Sequence, residues 1–180
     1  MTPNIALQLI SPRVAPVLKS QAEVFGAMTW LWMNSPTHQA CPLGDLHRLL
    51  LPALSSGQYV LALSADQQQR PLGLLTWAMF THETERKYLA TLDRYIKPED
   101  WTQGDRPWTL DWVTPFGQAK QFMSEIRRSL RDFMVRGLYH RGDEVGLKVL
   151  HFRSRDVSLS QQNAFWSTRP LSAPGSRPTT

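Results

Sequence analysis

Asp111 sits where a carboxylate is expensive. It interrupts the apolar run Trp108-Thr109-Leu110-Asp111-Trp112-Val113, between two tryptophans, and a buried charge there must be paired or hydrogen-bonded. Two readings follow: a structural partner for an arginine or for backbone N–H groups, or an acid that orients and charges a histidine. Five histidines could meet it, His38, His47, His82, His140 and His151. His38 follows Ser35-Pro36-Thr37 in a segment between two helical patterns, where a side chain can face a cleft. His47 falls inside a helix, His82 at a helix start, and His140 and His151 in strand-like stretches. A histidine near neutrality suits proton transfer, although its commoner fate is a surface or hydrogen-bonded position. Ser35 and Cys41 are nucleophile types, but a serine before proline commonly ends a helix and a lone cysteine beside Pro42 is commonly a small buried hydrophobe. No GxSxG elbow, GxxxxGK[ST] phosphate loop or GxGxxG fingerprint occurs. No HxxxH or HxH pair and no second cysteine exist, so a metal site has no motif behind it.

The elements that must position these residues can be read from periodicity. Residues 1–15, with Pro3 and Pro12, form a loose leader. Val17, Val24, Met28, Leu31 and Trp32 recur at helical spacing, so a helix runs over Val17–Met33 and stops at Ser35-Pro36. A second helix covers Leu43–Leu54, with Pro52 kinking or shortening it and Ser55-Ser56-Gly57 ending it. Gln58–Ser64 and Leu72–Phe80 read as a hairpin. His82–Tyr95 is helix-compatible, Trp108–Val113 is a buried strand, Gln118–Val135 is a helix, and Gly137–His140 and Val145–Arg153 are strands around Arg141-Gly142-Asp143. From Ser154 onward Ser, Gln, Pro and Arg dominate, which predicts a flexible tail over 154–180. The pattern is that of a single α/β or α+β sheet domain over 16–153.

Composition limits the function classes. A hydrophobic share of 42% with 19% charged residues is globular, and one cysteine precludes a disulfide framework and argues for a reducing compartment. No N-terminal basic-then-apolar stretch resembles a signal peptide, and no run is long enough to span a bilayer, so a cytoplasmic location is expected. The net charge of +5 is uneven. Lys120, Arg127, Arg128, Arg131 and Arg136 face only Glu125 and Asp132 on the helix after Gly117, and the tail carries Arg153, Arg155, Arg169 and Arg177 against Asp156. Such a face fits an acidic partner, or else a solvated helix with Glu125–Arg128 pairing. Nucleic acid has little support, because the aromatics lie in core-like strands and are not interleaved with the basic residues.

Three blocks resemble one family, the RTX toxin-activating lysine acyltransferases. Trp30-Leu31-Trp32-Met33-Asn34-Ser35-Pro36-Thr37-His38 is similar to its WLW-x-x-SP-x-H block. Gly57-Gln58-Tyr59 through Thr76-Trp77-Ala78 is similar to its QY…SWA hairpin. Trp101 to Phe116 is similar to its W-x-x-GDR-x-W-x-x-DW-x-(A/T)PF block. The likeness runs from about Phe25 to Arg153, in the same order and at similar spacing. It implies a GNAT-like mixed sheet flanked by helices, with fatty acyl transfer from acyl-carrier protein to internal lysines of an RTX protoxin. It also implies His38 and Asp111 as the catalytic pair, with Ser35 in support. No bound cofactor is expected, the acyl-carrier protein being the donor, and the resemblance allows a homodimer. Arg106 of the GDR triplet is then a candidate for holding the loop near Asp111, its structural alternative being a pair with Asp105 or Asp100. Lys120, Arg127, Arg128 and Arg131 become the expected docking face for the acidic carrier.

The departures are specific. The family shows H-R-x-W-P where this chain has His38-Gln39-Ala40-Cys41-Pro42, an asparagine of the second helix is replaced within Arg48–Leu51, the SWA serine is Thr76, and the C-terminal part lacks the family's last helix. His38 reads as a general base on the lysine or as a nucleophile on the thioester, and the residues alone do not separate these. A non-catalytic binding module for a secreted repeat protein is the alternative from another class.

Overall fold

The computed structural model describes residues 5–90, 96–139 and 148–172. In place of a loose leader, Leu7–Ile10 forms strand β1, paired antiparallel with a later strand through Leu7↔Ser64 to Ile10↔Leu61. Alternating apolar residues give this short edge a reason to pair. Helix α1, Gln21–Met33, begins at a capping box in which the Ser20 hydroxyl accepts from Glu23 N–H and the Glu23 carboxylate accepts from Ser20 N–H. Val24, Met28, Leu31 and Trp32 form its buried face. The expected second helix is broken into three pieces: a 3-10 turn at Leu43–Asp45, α2 at Leu46–Leu49 and α3 at Leu51–Ser56. Pro52 has no N–H to give back to the preceding turn, so the break falls just before it. Gly57 then closes α3 at φ 69°, a left-handed cap that glycine adopts without strain.

Strands β2, Tyr59–Ser64, and β3, Pro71–Phe80, make the expected hairpin. Helix α4 spans His82–Ala90; the remainder of the predicted helix, to Tyr95, falls outside the described residues. After a 3-10 turn at Pro98–Trp101 the chain crosses close to β3, where Gly104 N–H donates to the Met79 carbonyl at 2.8 Å. A Cβ at Gly104 would stand 1.9 Å from the Phe80 carbonyl oxygen, so only glycine fits. Strand β4, Arg106–Val113, pairs antiparallel with β3.

Helix α5 is Ala119–Ser129, ending earlier than its basic pattern suggests because Leu130 is already extended. Strand β5, Met134–Leu138, takes up residues assigned to that helix from sequence; His140 and the turn Arg141–Asp143 lie outside the described residues. Strand β6, Val149–Arg153, completes a six-stranded sheet in the order β1-β2-β3-β4-β5-β6, antiparallel except for the parallel β4–β5 step. A meander followed by one parallel pair, with helices on both faces, is the mixed α/β arrangement expected of a GNAT-like domain.

The tail prediction needs correction over 154–172, while its last part, 173–180, lies outside the described residues. Leu159–Ser167 is a helix, α6, opened by a second capping box between Ser158 and Gln161. The segment after it is fastened to the sheet by a buried charge cluster. Glu85 of α4, with no exposed surface, accepts from Arg106 (2.8 Å), Arg136 (2.6 Å), the Trp108 indole (2.8 Å) and both the hydroxyl (2.7 Å) and N–H (3.0 Å) of Ser172. The Arg136 guanidinium also lies over the Trp166 ring at 4.1 Å. A sequence rich in Ser, Gln and Arg is thus ordered by partners far away in the chain, the nearest in this cluster being Arg136 of β5.

Three apolar clusters fill the two faces of the sheet. On one face, α1 to α3 pack Met28, Leu31, Trp32 and Leu50 against Leu61, Leu74 and Val113, while α4 packs Tyr88 against Phe80 and Trp108. Ala53 and Leu54 of α3 join these two groups into one layer. On the other face, α5 packs Phe122 and Ile126 against Val60, Leu75, Trp77 and Val135.

Candidate active site

His38 stands on consecutive turns just after α1. Ser35 N–H donates to Trp32 O (3.0 Å), His38 and Gln39 N–H both donate to Ser35 O (2.9 Å), and Cys41 N–H donates to His38 O (2.9 Å). Pro36 stops the helix, and these turns swing the imidazole back over the Trp32 ring, centroid to centroid 4.6 Å and tilted by 36°. The backbone of this short loop therefore has little freedom to misplace the side chain.

Asp111 reaches the same place through an irregularity in β4. Thr76 faces Asp111 while the next residue, Trp77, faces Thr109, so Leu110 has no partner and forms a bulge. Trp108 points to the α4 side of the sheet. Strict alternation from there would send Asp111 to the opposite, α5 side. The extra residue returns it to the side of α1 and His38, and sends Trp112 to stack on Phe122 at 5.0 Å.

The result is a hydrogen-bonded chain. The Thr76 hydroxyl donates to Asp111 Oδ2 (3.0 Å) and accepts from Asp111 N–H (3.1 Å). Asp111 Oδ1 lies 3.3 Å from His38 Nε2, and His38 Nδ1 lies 2.9 Å from both the Ser35 and the Thr37 hydroxyl oxygens. An ionised carboxylate only accepts, so Nε2 carries the proton in the neutral ring and Nδ1 presents a lone pair. The pair is not sealed off: the His38 and Asp111 side chains are 21% and 14% exposed.

Both side chains line a cavity of about 930 Å³. Its wall includes Trp32, Tyr88 and Trp101 from one face of the sheet and Met123, Ile126 and Phe133 from the other. Strands β4 and β5 share one paired position, Trp108 with Arg136, and residues of both strands line the cavity.

The structure thus unites His38, Asp111 and Ser35 and separates Arg106 from them. Arg106 pairs with Glu85, not with Asp105 or Asp100, and its Nη1 also donates to Pro170 O at 2.7 Å. It lies at the start of β4, away from Asp111, because the nearest buried carboxylate is on α4; Asp105 pairs with Arg169 instead at 2.8 Å. Lys120, Arg127, Arg128 and Arg131 are all exposed. Arg128 pairs with Glu125 within the helix, and Arg127 both lines the cavity and donates to Arg153 O at 3.1 Å.

Cys41 packs against the α1 cluster, and burial, with the Asp45 carboxylate adding to it, pushes its thiol pKa up, which leaves it a poor nucleophile. His47 binds the Gly44 carbonyl and His151 lies beside Arg136. Sequence reasoning missed Thr37, whose only signal was its place beside His38, and gave Thr76 no role; the hydroxyl shared by threonine and the serine usual there was the available clue. Among the described residues no group of three or more His, Cys, Asp or Glu could hold a metal ion, and no helix is long and apolar enough to cross a membrane.

The chain is similar to known proteins over most of its length. A family model for the RTX toxin acyltransferase family matches residues 18–153. The chain is 34% identical over 137 residues to the leukotoxin-activating lysine-acyltransferase LktC serotype A1 of Mannheimia haemolytica, covering 75% of this chain and 79% of that one. It is 33% identical over 132 residues to the protein-lysine myristoyltransferase RtxC of Kingella kingae, covering 73% and 77%. It is 35% identical over 116 residues to the protein-lysine myristoyltransferase HlyC of Escherichia coli, covering 64% and 66%.

Proposed function

The chain belongs to the RTX toxin acyltransferase family and is an acyltransferase, and we propose that it transfers a fatty acyl group from acyl-carrier protein to internal lysines of an RTX protoxin in the cytoplasm. The observation that carries the chemistry is the 3.3 Å contact of His38 Nε2 with Asp111 at the wall of a largely apolar cavity. A lysine ammonium at its usual pKa near 10.4 is not a nucleophile at neutral pH. His38 takes its proton at Nδ1, where the exposed Thr37 hydroxyl can give way to the amine. Asp111 holds the imidazolium that results, and Thr76 holds Asp111. The free amine attacks the thioester carbonyl; the C–N bond forms, the C–S bond breaks, and the carrier thiolate leaves and regains a proton. Ser35, 7% exposed, positions the ring and does not attack.

The relatives' names, a leukotoxin-activating lysine-acyltransferase and protein-lysine myristoyltransferases, support a fatty acyl group and a toxin lysine as substrates. A cavity walled by Trp, Tyr, Ile and Phe suits an alkyl chain, and the exposed Lys120, Arg127, Arg128 and Arg131 suit an acidic carrier. Binding of the carrier should weaken steeply between 50 and 500 mM salt, on the order of tenfold or more, and a salt-insensitive association would contradict the docking face.

A single-turnover experiment with labelled myristoyl-acyl-carrier protein tests the mechanism. With no acceptor present, direct transfer leaves no label on the protein. Label retained by wild type and absent from His38→Ala would establish an acyl-histidine intermediate instead. With a co-expressed protoxin, acyl-lysine should be found by mass spectrometry for wild type and not for His38→Ala.

A further inference from the structure

Leu110, the residue that the bulge leaves without a partner, stays half-buried although it lies on an interior strand beneath a layer of helices. A leucine in such a place is ordinarily covered. Leu138, on the neighbouring strand β5, is half-buried in the same way. Both side chains pack against the cluster of Phe80, Tyr88 and Trp108, so they point to the α4 side of the sheet, and both line the cavity. The space over them is thus on the face that carries His38. Ile96 and Trp101, buried members of the same cluster, line it too, as does Leu49 of α2. Tyr88 closes its far end. That ring lines the cavity and is backed by Phe80 (centroids 5.2 Å apart) and Trp108 (5.5 Å), which have no exposed surface and do not line it. The near end is fixed by the bulge, which sets Leu110 and Asp111 side by side on one face, their Cα atoms about 3.8 Å apart. The apolar floor therefore begins beside the His38–Asp111 pair.

We propose that this one-sided compartment, with Leu110 as its floor and Tyr88 at its end, holds the acyl chain on the His38 face of the sheet. This rests on the fatty-acyl reading above. Leu110 is the side chain that the first carbons meet as they leave the reacting carbonyl, which makes it a specificity-determining residue. An alkyl chain lying there covers the apolar surface that Leu49, Leu110 and Leu138 leave open, and the gain grows with each methylene placed on it. The cavity wall on the α5 side, Met123, Ile126 and Phe133, takes no part in holding the chain.

The test uses the full-length chain. A myristate analogue with a diazirine near its methyl end, photolysed on wild type, should label Tyr88, Ile96 or Trp101. Label on Met123, Ile126 or Phe133, or no saturable label, overturns the compartment, and this readout needs no variant to fold. Leu110→Trp, checked for an unchanged melting curve, should bind free myristate at least tenfold more weakly than wild type. Met123→Trp, at the matching half-buried position of the α5 wall, should stay within threefold. Any other ranking of the two variants overturns the proposal. If the label and the dependence on Leu110 are found but myristoyl-acyl-carrier protein yields no acyl-lysine on an RTX protoxin, the donor or acceptor reading fails while the compartment stands.

Discussion

Replacing Asp111 with asparagine removes one charge and almost no shape. The asparagine side chain would still accept from His38 Nε2–H through its amide oxygen, while its amide nitrogen would face the Thr76 hydroxyl. That hydroxyl oxygen already accepts from the residue's own N–H and has a second lone pair to offer, so the hydrogen-bonded chain can persist. What is lost is the Coulombic support of the imidazolium formed as the lysine is deprotonated. Unit charges at the observed 3.3 Å in an effective dielectric constant of about 20–40, suited to a partly exposed pair, interact by about 2.5–5 kcal/mol. At 1.36 kcal/mol per decade, transfer should fall by roughly 10²- to 5 × 10³-fold. The assay is the rate of acyl-lysine formation on a co-expressed or added RTX protoxin, followed by mass spectrometry, with thermal unfolding as a control for shape. Thermal stability should change little. A variant that keeps its fold and acylates within threefold of wild type would show that Asp111 does not stabilise a cation on His38, and the mechanism would fail.

Other perturbations test the scaffold around this pair. Thr76→Val should leave Asp111 Oδ2 without its donor, costing about 1–3 kcal/mol of stability and lowering transfer; Thr76→Ser should restore both, and a failure to do so would mean that the methyl group, not the hydroxyl, matters. Glu85→Gln leaves Arg106 and Arg136 facing each other without a carboxylate, and should destabilise the fold by about 3–5 kcal/mol in denaturant unfolding. The Glu85 pKa is lowered in the fold: burial, the largest single influence, opposes this, but hydrogen bonds from Ser172 and Trp108 and the Arg136 charge outweigh it. A lowered carboxylate contributes stability above its unfolded value of 4.5 that is lost as pH falls through the folded value. Wild type should therefore lose stability below about pH 4.5 more steeply than Glu85→Gln, and parallel curves would contradict this. Gly104→Ala should fail to accumulate as folded protein, given the 1.9 Å approach of its Cβ to the Phe80 carbonyl; a normal yield and melting curve would show that this crossing can shift.

Local signals in the chain were enough for α1, the β2–β3 hairpin, β4 and most of α5, because amphipathic period, proline and glycine act over a few residues. They also singled out His38 behind its proline and Asp111 between its tryptophans as residues in need of a partner. Arg106 was equally conspicuous but was given the wrong partner, since charge neighbours in sequence are not neighbours in space. The segment 154–172 read as tail because its order comes from Glu85, Arg106 and Arg136, none of which lies within it.

By itself, then, the sequence determined which residues had chemistry to offer, and its family blocks named the pair. Only the tertiary structure decided that the two meet. A strand's side chains alternate with period two, so one unpaired residue, Leu110, determines which face Asp111 occupies. No local pattern in Trp108–Val113 records that shift, because the register is set by pairing with β3, more than thirty residues earlier in the chain. The same holds for the cavity, whose lining comes from β4, β5 and β6 and from helices on both faces of the sheet. Such contacts join residues far apart in the chain, which no short stretch of sequence encodes.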